Sequence, residues 1–138
     1  MTGTAHGTYF AHRSNERARV VYNLFASGRL GPVGPTLVAG GFQTHGFTAQ
    51  GAGGGNMVFA PFERSGDVFL RLTELSGPTA AAPEQYRFAY EITPGPGSTA
   101  SARESGTLEV SLKPITTNLQ GKPVANPRFF GDATLTFS

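Results

Sequence analysis

The sequence predicts an all-β fold: one domain over residues 1–138, built as an antiparallel β-barrel of about eight strands. Three observations carry that expectation. Apolar and polar residues alternate with a period of two in several segments. Clusters of glycine and proline separate those segments at short intervals. No window of a dozen residues keeps apolar positions at helical spacing without a Gly or Pro interrupting it. A β-sandwich or jelly roll is the alternative arrangement. Closure is favoured because few charges or prolines interrupt the strands, so an open edge would be left unblunted.

In the first half the strands are placed at residues 6–11, 18–27, 36–42, 44–50 and 56–61. The second half is more regular. In the run from Asp67 to Thr73, Val68, Leu70 and Leu72 share one face while Arg71 and Thr73 take the other. Tyr86, Phe88, Tyr90 and Ile92 then oppose Arg87 and Glu91, and Leu108, Val110 and Leu112 oppose Thr107, Glu109, Ser111 and Lys113. At the end Ala133, Leu135 and Phe137 oppose Asp132, Thr134 and Thr136. Turns are expected at residues 28–35, 51–56, 64–66, 76–83, 94–98 and 118–127. Within the fourth of these, Ala80 to Ala82 are expected to form at most one helical turn before Pro83.

Composition narrows the function classes. The chain holds 19 Gly and 10 Pro among 138 residues, and only 14% of residues are charged, against a usual level of about 25%. Fifteen aromatics, 11 Phe and 4 Tyr, supply enough apolar material for a core, which argues against disorder. The net charge is +2 and the basic residues are scattered, so no nucleic-acid partner and no polybasic membrane surface are expected. No apolar run reaches the roughly 18 residues of a spanning helix. With no cysteine, thiol nucleophiles, disulfides and cysteine-bound metal are excluded. The start, Met1-Thr2-Gly3-Thr4, lacks the parts of a signal peptide. An extracellular or virion-associated setting is the expectation, reached by a leader that this chain does not carry.

No known catalytic motif is present. Gly51-Ala52-Gly53-Gly54-Gly55 precedes a strand rather than a helix, so it reads as a hairpin turn and not as a phosphate cradle. His6 and His12 share a strand face but lie about 20 Å apart along it, and His45 has no identifiable partner. No metal and no cofactor are expected. Most of the nine carboxylates fall on outward faces or in turns, with Glu91 beside Arg87 and Asp67 beside Arg71 as surface neighbours.

Two groups of residues remain as site candidates. Tyr86, Phe88, Tyr90, Leu108 and Leu135 face inward and would line a lumen if the barrel holds one. Met57 and Phe59, with Val58 between them, and the pair Phe129 and Phe130 belong to segments that are apolar on both strand faces. These four are the candidates for a subunit contact.

The run from Tyr90 to Leu108, YEITPGPGSTASARESGTL, resembles the strand, glycine turn and strand of allene oxide cyclase-like and dirigent-like β-barrels. Gly95, Gly97, Ala102 and Gly106 fall where that family has small residues. Thr99 stands where an aromatic is usual, Ser101 where a glycine is usual, and Pro96 interrupts the turn. The resemblance implies an eight-stranded antiparallel barrel, often oligomeric, whose lumen binds a hydrophobic ligand in some members. It transfers no catalytic residue.

The expected function is therefore a non-enzymatic structural, assembly or binding module that acts through its surface as a homo-oligomer or within a larger protein assembly. The rivals are a small hydrophobic-ligand barrel or cyclase-like enzyme, and a carbohydrate-binding module using Tyr9, Tyr22 or Phe42 as exposed rings.

Overall fold

In the computed structural model the described residues are 1–13, 20–31, 34–44, 54–62, 68–77, 84–93, 104–115, 119–123 and 130–138. They form β1 (Thr2–Arg13), β2 (Val20–Gly31), β3 (Gly34–Thr44), β4 (Gly54–Pro61), β5 (Val68–Ser76), β6 (Gln85–Thr93), β7 (Ser105–Pro114) and β8 (Phe130–Phe137). Each strand pairs antiparallel with the next, and β1 pairs with β8 from Gly3 opposite Phe137 to Phe10 opposite Phe130. The sheet is a closed barrel, which leaves no free edge for another strand to extend.

Alternation decides what faces inward. Val20, Tyr22, Leu24 and Ala26 of β2 are buried while Asn23, Phe25 and Ser27 are exposed. The same parity buries Leu108, Val110 and Leu112 of β7 and Ala133, Leu135 and Phe137 of β8. The expected faces of the last four strands hold, with Val68 and Ile92 only partly covered where they pack on the core.

Several boundaries differ from the sequence expectation. The glycine cluster read as a turn at 28–35 belongs mostly to two long strands, since β2 runs on to Gly31 and β3 begins at Gly34. The reason is steric. A Cβ on Gly28 would lie 2.2 Å from the Thr4 carbonyl oxygen, so this glycine admits a close neighbouring strand rather than a reversal of the chain. Gly55 behaves alike: a Cβ there would meet the Gly41 carbonyl oxygen at 2.0 Å and the Phe42 Cα at 2.7 Å. It is a strand residue of β4, not part of a turn. Such glycines let a small barrel bend tightly around its core. Between Glu74 and Ser76 the register against β6 shifts, a bulge of the kind found near sheet ends. The strand expected at 44–50, apart from Thr44, and the turn alanines 80–82 lie outside the described residues.

Among the described residues Thr36 is the one buried polar side chain other than the tyrosines, and its Oγ1 donates to the Gly34 carbonyl at 2.9 Å. That bond meets the requirement of a buried hydroxyl without a partner strand.

Candidate functional site

The interior comes first, because a lumen would be the site of a ligand-binding barrel. Tyr86, Phe88, Tyr90, Leu108 and Leu135 all face inward and are almost wholly buried. What surrounds them is side chain. The Phe42 ring lies 4.8 Å from that of Tyr22, 5.0 Å from Tyr86 and 4.8 Å from Phe88, centroid to centroid. Towards the other end, Phe137 sits edge-on to Phe59 at 5.2 Å and to Tyr90 at 5.8 Å. These are contact distances for aromatic pairs, so the five lumen candidates do not form one pocket. Tyr86 and Phe88 join the cluster at one end, and Tyr90 joins the cluster at the other.

Among the described residues the inward polar groups are the tyrosine hydroxyls, Thr36, and Glu74, which lies half-buried on the inward row of β5 opposite Phe88. Tyr86 donates to the Tyr22 hydroxyl at 3.0 Å, and Tyr90 donates to the Met1 carbonyl at 3.1 Å. Burial, then the charge of Glu84 and the neighbouring Tyr22, pushes the Tyr9 hydroxyl up to about 12. Burial, reinforced by its hydrogen bond to Tyr22 and by nearby Glu84 and Glu74, holds Tyr86 far above its ordinary value. Burial followed by Glu104 raises Tyr90 as well. All three shifts keep the proton on oxygen. They equip these residues as hydrogen-bond donors and oppose any role as a phenolate base.

The interface candidates divide. Met57 and Phe59 are a correction: both are fully buried in the barrel interior. Their spacing of two gives them one parity, and the register sets them opposite Gly40 and Val38 on the inward side. Val58 between them points outward and is half-buried. Phe129 lies outside the described residues. Phe130 is on the outer wall, 44% exposed, with its ring 5.3 Å from Phe10, itself 46% exposed. The rings offered for carbohydrate, Tyr9, Tyr22 and Phe42, are likewise corrected, because all three are core residues.

The residue that sequence reasoning missed is Phe25, 59% exposed at the middle of β2. Its signal was present: Val20, Tyr22, Leu24 and Ala26 share one parity, which sends Phe25 to the other side. Register then assembles a row across the outer wall, from Phe25 to Ala39 on β3, Val58 on β4 and Phe69 on β5. Leu37 and Ala60 lie beside it, opposite each other. One row above, Phe10 faces Asn23, and Asn23 faces Gly41. Here a cleft of about 540 Å³ opens, walled by Thr8, Phe10, Asn23 and Phe25 and floored by Gly40 and Gly41.

The remaining wall is polar. Arg71 faces Glu91 across β5 and β6, Arg87 faces Glu109 across β6 and β7, and Lys113 faces Asp132 across β7 and β8. His6 is exposed, its Nδ1 3.3 Å from Thr134 Oγ1. No group of three His, Cys, Asp or Glu able to hold a metal occurs among the described residues, and His45 lies outside them. The turn at the centre of the family resemblance, residues 94–103, is also outside them. Compared with protein-family models, curated proteins and solved structures, the chain matches none.

Proposed function

We propose that this barrel is a non-catalytic structural or assembly module that acts through its outer wall. The observation that carries the reading is the contrast between an interior packed with its own rings and a wall that exposes Phe10, Phe25 and Phe130. Exposed apolar groups in adjoining rows, unlike scattered ones, mark interaction surfaces. A ligand-binding or cyclase-like barrel would call for interior space and an inward ionisable group. The Tyr86, Tyr90 and Thr36 hydroxyls are already engaged with Tyr22 or with backbone carbonyls, and the ionisable group on the inward row, Glu74, is half-buried at the β5 bulge rather than set in the core. The placement of charge also opposes a bilayer-spanning barrel, which carries an apolar band outside and polar groups inside. Arg87, Glu109, Lys113 and Asp132 project from the wall of this one, and its interior is apolar.

Titration with decanoate, followed by tyrosine fluorescence, tests the reading. A filled interior leaves the emission unchanged, whereas saturable one-to-one quenching overturns the proposal in favour of a ligand barrel.

A further inference from the structure

We infer that the Tyr90 hydroxyl is a latch on the seam between β1 and β8, and that this seam, at the end where Gly3 meets Phe137, is the part of the barrel that opens first. The inference goes beyond the surface-acting reading and does not depend on it. Every other neighbouring pair in the sheet joins strands consecutive in sequence, whereas the seam joins the first strand to the last. Its closure therefore orders a longer stretch of chain than any other pairing. An opened seam turns the closed barrel into a sheet with two unpaired edges, the form from which strands add to other chains. A tie across the seam guards the whole closure.

Such a tie is built at one end of the interior. Tyr90 stands on β6, two strands away from β8, with its side chain buried and its ring edge-on to Phe137 at 5.8 Å. Its hydroxyl lies 3.1 Å from the Met1 carbonyl, at the entry to β1, and 3.5 Å from the Ser138 main-chain oxygen, at the exit from β8. One donor thus faces an acceptor on each side of the seam. The strand between makes room for it. Gly106 of β7 is opposite Tyr90 in register and shares the inward parity of Leu108 and Val110. A Cβ there would lie 2.5 Å from the Tyr90 hydroxyl and 2.3 Å from the Ser138 oxygen. The missing side chain of Gly106 is what leaves the space that the latch fills. Ser138 is also held from β7, because its N–H donates to the Thr107 carbonyl and the Thr107 N–H donates back, both at 2.9 Å. With Ser138 bonded to β7, alternation along the ladder turns the main-chain groups of Phe137 and Leu135 the other way, to Gly3 and Ala5 across the seam. The amides of these four residues report on the seam directly.

Native-state hydrogen exchange on the full chain, read amide by amide by NMR, tests the latch. In the wild type Gly3, Ala5, Leu135 and Phe137 are expected to exchange about tenfold or more faster than Val38 and Leu70 on strands away from the seam, because local opening costs less than global unfolding. Tyr90→Phe keeps the ring and removes the donor. It is expected to speed the four seam amides about tenfold, the equivalent of one buried hydrogen bond. Tyr86→Phe is the control, since it removes a hydroxyl bonded to Tyr22 of β2 rather than to β1 or β8. It speeds Val38 and Leu70 through global stability and leaves the seam amides at wild-type rates. A hydrogen bond that only adds stability would leave the seam unmoved in both variants or move it equally in both. Seam amides that exchange no faster than Val38 and Leu70 in the wild type, that ignore Tyr90→Phe, or that respond equally to Tyr86→Phe overturn the inference. The first of these outcomes is read on the wild type alone, so it stands whether or not either variant folds.

Discussion

Gly7→Ala tests how tightly the barrel is wound. Gly7 lies on β1 opposite Ala26 of β2, and a Cβ built on it would sit 1.9 Å from the Phe25 carbonyl oxygen and 2.5 Å from the Ala26 Cα. Carbon and carbonyl oxygen approach comfortably at about 3.3 Å, so the two strands must part by about 1.4 Å at this point. Both opposing groups are backbone, so no side chain can swing away to relieve the clash. Separation on that scale takes a ladder hydrogen bond beyond its working range. Losing one or two such bonds at about 1 kcal/mol each, together with about 1–3 kcal/mol for overpacking, gives a destabilisation of about 2–5 kcal/mol. At about 2.1 cal/mol/K per residue this corresponds to a Tm lowered by about 7–17 °C. Urea unfolding followed by far-UV circular dichroism measures it. Gly31→Ala is the internal control, because a Cβ there finds nothing nearer than 3.8 Å and the smaller unfolded-state entropy favours alanine by up to about 1 kcal/mol. A Gly7→Ala protein within about 1 kcal/mol of wild type would refute the close approach of β1 and β2.

Three further outcomes are expected. Tyr86→Phe removes the donor of the buried hydroxyl pair with Tyr22 and lowers unfolding free energy by about 1–2 kcal/mol, measurable by denaturant titration. Alkaline pH destabilises the fold, because Tyr9, Tyr86 and Tyr90 titrate higher when folded than the ordinary value of 10.0 that they regain on unfolding. Stability is therefore intact below pH 10 and falls as pH rises, by about 2 kcal/mol at pH 12 from Tyr9 alone; a pH series of urea midpoints flat from 9 to 12 would contradict the burial of these hydroxyls. Leu135→Ala opens a void in a filled interior and lowers stability by about 2–5 kcal/mol. A loss below 1 kcal/mol would mean that Leu135 borders empty space.

Residue order alone carries the all-β class and says which side chains of the last four strands make the core. Side-chain direction in a strand depends only on parity, and that is written in the order of residues from Val68 to Ile92 and from Leu108 to Phe137. Phe25 was legible by the same rule. Tertiary structure decided the rest, because it turns on which backbones lie side by side. Gly28 and Gly55 resemble turn residues until the neighbouring carbonyls of Thr4 and Gly41 are seen against them. Met57 and Phe59 read as a doubly apolar segment until the register places them opposite Val38 and Gly40 inside the wall. Pairing of β1 with β8 closes the sheet, and Phe25, Ala39, Val58 and Phe69, separated along the chain by 10 or more residues each, become one outer row only through ladder register. Local pattern can orient each residue in or out. It cannot say which residue stands beside which, since that follows from hydrogen bonding between strands that are distant in sequence.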